Sequence, residues 1–226
     1  MAKQIPFDLP HAAALSREDF MVAESNRAAM ALVDQWPAWP SYGAILCGPD
    51  GSGKSHLATI WKDAAGAKCI TASELARDVV PAALETRAVV IEDIEHAGLD
   101  GAALFHLLNL ARQQASSVLL TSRLLPVDLT ITIPDLRSRL LALPVVSIAA
   151  PDDALLRAVL VKHFADRQIV VDESLITYLL ARMPRSLGMA RELVARIDVA
   201  ALAEKAEITK VFAGRILAEM SSPNML

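Results

Sequence analysis

The segment Gly48-Pro49-Asp50-Gly51-Ser52-Gly53-Lys54-Ser55 constrains this chain more than any other. It follows an apolar run, Ala44-Ile45-Leu46-Cys47, and precedes a helix-compatible one, His56-Leu57-Ala58-Thr59-Ile60-Trp61. Strand, glycine-rich turn and helix in that order fit the pattern G-x-x-x-x-G-K-[ST]. In it Gly48, Gly51 and Gly53 let the backbone wrap, Ser52 lies inside the turn, and successive amides aim at phosphate oxygens. Lys54 supplies a cation for phosphate charge, and Ser55 offers its hydroxyl to a magnesium ion. A chance glycine-rich turn would lack both flanks. The segment predicts a chain that binds a nucleoside phosphate.

With 226 residues the chain suits one medium domain and a small appendage. Its 22 Lys and Arg against 26 Asp and Glu leave a net charge of −4, so no global basic field holds a nucleic-acid backbone. Cys47 and Cys69 stand far apart without metal-ligand spacing, which fits a reducing cytoplasm, and Cys47 reads as a small apolar residue ending a buried strand. The five histidines are scattered without metal-type pairing. The N-terminus lacks the apolar core of a signal peptide, and the longest apolar stretch, near Leu140 to Pro151, is too short to span a bilayer. No membrane association is expected.

Along the chain, residues 1–12 form a leader broken by Pro6 and Pro10. Ser16-Arg17-Glu18-Asp19 predicts a helix start that continues through Leu32 and Val33 until Trp36-Pro37-Ala38-Trp39-Pro40 breaks it, the tryptophans packing at that turn. After the glycine-rich loop, strands are expected at 69–71, 87–93, 117–122 and 144–148, with helices at 73–78 and 101–114 between them. Apolar strands separated by helices predict an α/β fold, a parallel sheet covered on both faces over 13–150, with its ligand at the C-terminal ends of the strands. From 151 to 226 the pattern is helical throughout, and a small all-α lid is expected there.

Strand 88–91 ends in Glu92 and Asp93, two acids where a magnesium ion and an attacking water would need them. The bland alternative is a solvated strand end. Glu92 stands on the metal side, where its length favours slow turnover. Two arginines follow: Arg139 within Ile133-Pro134-Asp135-Leu136-Arg137-Ser138-Arg139-Leu140, and Arg191 within Gly188-Met189-Ala190-Arg191-Glu192-Leu193.

This order of parts resembles the AAA+ ATPases, in particular the DnaA branch and the Hda-type regulatory inactivators within it, over nearly the whole chain. The resemblance implies a P-loop AAA+ domain followed by a helical lid. It makes Gly48 to Ser55 the Walker A motif, Glu92 and Asp93 the Walker B pair that holds Mg2+ with Ser55, and Thr121-Ser122 the sensor region. It also implies Arg139 as an arginine finger acting on a partner's nucleotide, and Arg191 as a second sensor on the chain's own ADP or ATP. An exposed helix arginine remains the alternative for Arg139, and an acid-paired surface residue for Arg191. Arg123 stands where DnaA-like chains often carry an acid.

Gln4-Ile5-Pro6-Phe7-Asp8-Leu9 resembles the peptide that docks on the DNA polymerase III sliding clamp, with Gln4 at the rim and Ile5, Phe7 and Leu9 in the pocket. A tail docking these residues on its own domain is the other reading. DnaA continues past its lid into a helix-turn-helix module, whereas this sequence stops at Leu226, so no direct sequence-specific DNA binding is expected. What the resemblance implies is a regulator of replication initiation that stimulates hydrolysis of ATP held by DnaA, with homo-oligomers as a further arrangement. A helicase loader or transposition helper, using its own turnover on a DNA-bound partner, is the rival. A small-molecule kinase shares the loop alone.

Overall fold

The computed structural model describes residues 15–221, apart from the side chain of Ser221. The leader residues Gln4, Ile5, Phe7 and Leu9 lie outside the described residues. Two compact units share the described chain, one over Leu15–Ala150 and one from Pro151 onward.

The first unit is built on five strands: β1 (Gly43–Cys47), β2 (Lys68–Thr71), β3 (Ala88–Glu92), β4 (Ser117–Ser122) and β5 (Val145–Ser147). They form one sheet in the order β2-β3-β4-β1-β5, every pair parallel. The central strands are continuous apolar runs because both faces are covered. Ile45, Val89, Ile91, Val118 and Leu120 point to one core, and Ala44, Leu46, Val90 and Leu119 to the other.

Helices α1 (Arg27–Gln35) and α2 (Lys54–Ala65) cover the second of these faces, through Met30, Val33, Leu57 and Trp61. On the first lie α3 (Val80–Ala83), α4 (Gly101–Gln113) and α5 (Pro134–Leu141), through Val80, Leu104, Leu107, Leu136 and Leu140. Asp100 caps α4 by accepting from the amides of Ala102 and Ala103. Trp61 is fully buried, with Trp39 stacked on it at 5.2 Å and Trp36 edge-on at 6.1 Å. The tryptophans of the 36–40 turn thus pack inward.

Two expected helices are corrected. Ser16 starts a turn, not a helix: its hydroxyl donates to Asp19 at 2.6 Å instead of accepting from a backbone amide, and the helix begins at Arg27. Asn26, just ahead of it, ties down the preceding loop by accepting from the Ala23 amide and donating to the Met21 carbonyl. Residues 73–78 also form turns. The Glu74 carboxylate accepts from both the amide and the hydroxyl of Thr71, and this local closure leaves only the short α3 further on.

Among the described residues the second unit packs four helices, α6 (Asp153–Asp166), α7 (Glu173–Leu180), α8 (Leu187–Glu204) and α9 (Lys210–Ser221). Asp152, Asp172 and Ser186 cap the first three with their side-chain oxygens. Leu156, Phe164, Leu179, Leu193, Ile197 and Ala213 form its interior. No helix among the described residues is long and apolar enough to cross a membrane.

Candidate nucleotide site

The loop between β1 and α2 is held by hydrogen bonds at its base and open at its top. Gly48 donates to the Ser122 carbonyl on β4, and the Cys47 carbonyl accepts from Ile148, so the loop leaves the C-terminal edge of the sheet in a fixed direction. Gly51 (φ 70°) and Gly53 (φ 105°) adopt left-handed conformations that a side chain would strain. A Cβ at Gly48 would lie 2.5 Å from the Ile148 carbonyl oxygen and 2.8 Å from Ser52 Oγ, so that position has room for hydrogen alone.

The amides of Gly51, Gly53, Lys54 and Ser55 find no acceptor among the described residues. They belong to the loop and the first turn of α2, where orphan donors and the helix dipole together favour an anion. Ser52 is buried, and its Oγ has no partner among the described residues. Lys54 is folded back over the loop, its Nζ donating to the carbonyls of Gly48 at 2.7 Å and Pro49 at 3.0 Å. Orphan donors, a buried unpartnered hydroxyl and a buried ammonium fit a chain of phosphates.

Glu92 ends β3 on the face that α2 covers, since Val90 and Ala88, two and four residues earlier, pack into that core. Its Oε2 accepts from Cys69 Sγ at 3.8 Å, while Oε1 is buried with no partner among the described residues. Burial, followed by the charge of Glu92, pushes the Cys69 thiol up to about 11. Asp93 is exposed with φ 58°, and its amide donates to Thr121 Oγ1. Among the described residues no group of three His, Cys, Asp or Glu side chains could hold a metal. The orphan Glu92 oxygen and the Ser55 hydroxyl are nonetheless hard oxygen donors of the kind magnesium takes together with phosphate.

The end of β4 is tied to neighbouring backbone. Thr121 Oγ1 accepts from the Asp93 amide and keeps its own proton to donate, while Ser122 Oγ donates to the Leu124 carbonyl. The exposed polar group here is Arg123, which sequence reasoning marked only as a departure. It donates to Glu95 at 2.6 Å and to Asp50 of the phosphate loop at 3.3 Å, linking three segments. Burial raises the Glu95 carboxyl, but its backbone hydrogen bonds and Arg123 outweigh that and hold it below the ordinary value. A carboxylate so depressed contributes stability that is present above its unfolded pKa and lost as pH falls through the folded one. In urea unfolding the wild-type advantage over Glu95→Gln is therefore expected at pH 6 and should shrink below about pH 4.3. A gap independent of pH would show that the charge is not what stabilises.

Arg139 lies elsewhere. It sits in the last turn of α5, half-buried, with its guanidinium 5.3 Å from the centre of the Phe105 ring. Helix α5 covers the face opposite α2 and runs into the N-terminal end of β5, while the phosphate loop leaves the C-terminal end of β1. The length of β1, roughly 15 Å at a strand's rise per residue, separates those two edges. Arg191 is a half-buried residue of α8 in the helical unit and makes no ion pair among the described residues.

No protein-family model matches the chain, and no curated protein matches its sequence. Solved structures do. Domain III of the replication initiation protein DnaA from Thermotoga maritima is similar with a TM-score of 0.78 at 18% identity, over 92% of this chain and 98% of that one. The fold is that of the AAA+ P-loop domains. AMPPCP-bound DnaA from Aquifex aeolicus is similar with a TM-score of 0.67 at 20% identity, over 80% of this chain and 64% of that one. The Thermotoga maritima Holliday junction branch migration motor RuvB gives 0.67 at 16% identity, over 90% and 71%. One fold carries initiators and motors alike, so function has to be argued from the residues.

Proposed function

We propose that this chain is a nucleotide-bound regulator of replication initiation of the Hda type, which stimulates hydrolysis of ATP held by DnaA. The observation that carries the reading is the separation of Arg139 from the chain's own phosphate loop, by face and by edge of the sheet. A guanidinium so placed serves a triphosphate on a neighbouring molecule, where it stabilises charge developing on the transferred phosphoryl group. The likeness to AMPPCP-bound DnaA supports an adenine nucleotide, ADP or ATP, as the ligand of the loop.

Each residue then has a task. The orphan amides and Lys54 bind the phosphates, the buried Ser52 hydroxyl adds a donor, and Arg123 neutralises Asp50 beside them. Ser55 and Glu92 would hold a magnesium ion, which supplies charge neutralisation at the phosphates. Slow turnover fits Glu92 on the metal side, so bound nucleotide acts chiefly as a structural cofactor.

Reconstitution with sliding clamp, primed DNA and ATP-loaded DnaA, following phosphate release, tests the reading. Stimulation is expected, and Gln4→Ala with Leu9→Ala should remove both clamp retention in a pull-down and most of that stimulation. Retention by the double variant would return the leader to a plain tail. DNA-stimulated turnover by this chain alone, with no effect on DnaA, would favour a helicase loader.

A further inference from the structure

Near the N-terminal edge of the sheet, on the face of α4 and α5, a cleft of about 410 Å³ opens between Ser41, Tyr42, Arg112, Ser138 and Arg139, with Ala142 and Leu143 completing its wall. Every polar side chain in this lining can donate a hydrogen bond, and none is a carboxylate. Apart from the contact of Arg139 with the Phe105 ring, none of the five makes a side-chain hydrogen bond or ion pair among the described residues. Buried or half-buried arginines normally find acids. Here half-buried Arg139 shares the cleft with exposed Arg112 and three hydroxyls and has no counter-charge, an arrangement that favours an anion between the two guanidinium groups.

The chemistry of that anion follows from its surroundings. Guanidinium groups fork onto phosphate oxygens, and hydroxyls fill the remaining acceptor directions. The apolar wall of Ala142 and Leu143 supplies no partner for a large polar group. Arg112 is exposed in the last turn of α4, so its charge does not serve packing. Tyr42 immediately precedes β1 and Leu143 lies two residues before β5, which fixes the cleft at the edge away from the chain's own loop.

We propose that this cleft is a phosphate-binding site in which Arg112 acts beside Arg139, its occupant the terminal phosphates of a nucleotide held by the partner. The proposal deepens the reading of Arg139 and rests on it for the source of the phosphate. Arg112 would then be a second cation for the same reaction, with Ser41, Tyr42 and Ser138 orienting the phosphate oxygens.

Two arms test it. In low-salt calorimetry with inorganic tripolyphosphate the wild type should show two sites, Lys54→Ala one, and Lys54→Ala with Arg112→Ala and Arg139→Ala none. A single site in the wild type, or a triple variant that binds as Lys54→Ala does, overturns the proposal. In the reconstituted reaction Arg112→Ala should lower stimulation of DnaA at least tenfold, with Arg112→Lys recovering part of it. Tripolyphosphate binding together with full stimulation by Arg112→Ala would identify the occupant as a free phosphate anion and overturn the assignment to a partner's nucleotide. If the wild type gives no stimulation at all, the regulator reading falls, and the calorimetry still decides whether the cleft takes phosphate.

Discussion

Arg139→Ala is expected to reduce stimulated hydrolysis of DnaA-held ATP by roughly 10³- to 10⁵-fold, the range a trans-acting arginine supplies to phosphoryl transfer. The same variant should bind its own nucleotide as the wild type does, because Arg139 and the phosphate loop lie on different faces and toward opposite edges of the sheet. Its fold should survive. The side chain is only half-buried, and a guanidinium placed over a ring, as Arg139 is over Phe105, contributes about 1 kcal/mol. Arg139→Lys keeps the charge but not the planar fork, so it should recover only a small part of the activity. The decisive readout is single-turnover phosphate release with DnaA preloaded, since it separates chemistry from assembly. Full stimulation by Arg139→Ala would remove the finger and the reading built on it.

The sheet and most helices are legible in the sequence for one physical reason. A strand buried on both faces must be apolar throughout, so Ala44–Cys47, Ala88–Ile91 and Val118–Leu120 stand out as short unbroken runs between polar punctuation. Helix α4 is similarly marked, with Asp100 at its cap and Leu104, Leu107 and Leu108 at helical spacing. Where side chains bond to their near neighbours, the local signal misleads. Ser16 and Asp19 resemble a capping box, yet their mutual bond closes a turn, and Glu74 folds back on Thr71 where a helix was expected. Both are competitions between side chain and backbone that composition does not decide.

The site divides in the same way. Its phosphate loop is contiguous in sequence, so its glycines and Lys54 can be read directly, and the left-handed Gly51 and Gly53 are what such a turn requires. The link from Arg123 to Glu95 and Asp50 joins three segments, 28 and 73 residues from the arginine, and no local pattern announces it. Arg139 is harder still, because its relation to the chain's own loop depends on which face α5 covers.

Gly48→Ala should have the largest effect on the chain's own ligand. A methyl group there would sit 2.5 Å from the Ile148 carbonyl oxygen and 2.8 Å from Ser52 Oγ, both closer than unstrained contacts allow. Ser52 can rotate, but the Ile148 carbonyl belongs to backbone fixed by the bond from Ile148 to Cys47, at the edge where the loop starts. The chain must therefore shift the first residue of the loop, and with it the orphan amides of Gly51, Gly53, Lys54 and Ser55. Overpacking of this kind costs about 1–3 kcal/mol, a fall in Tm of several degrees for a chain this long. Nucleotide binding should weaken by more, at least a hundredfold, because displaced amides lose their aim at the phosphates together. Lys54→Ala is the control: it removes one cation and leaves the backbone in place, so it should weaken binding with a smaller change in Tm. Melting curves with and without nucleotide separate the two cases, since ligand-induced stabilisation depends on affinity while the unliganded Tm reports the strain. If Gly48→Ala bound nucleotide as tightly as the wild type, the loop would not be the anion cradle that its orphan donors describe.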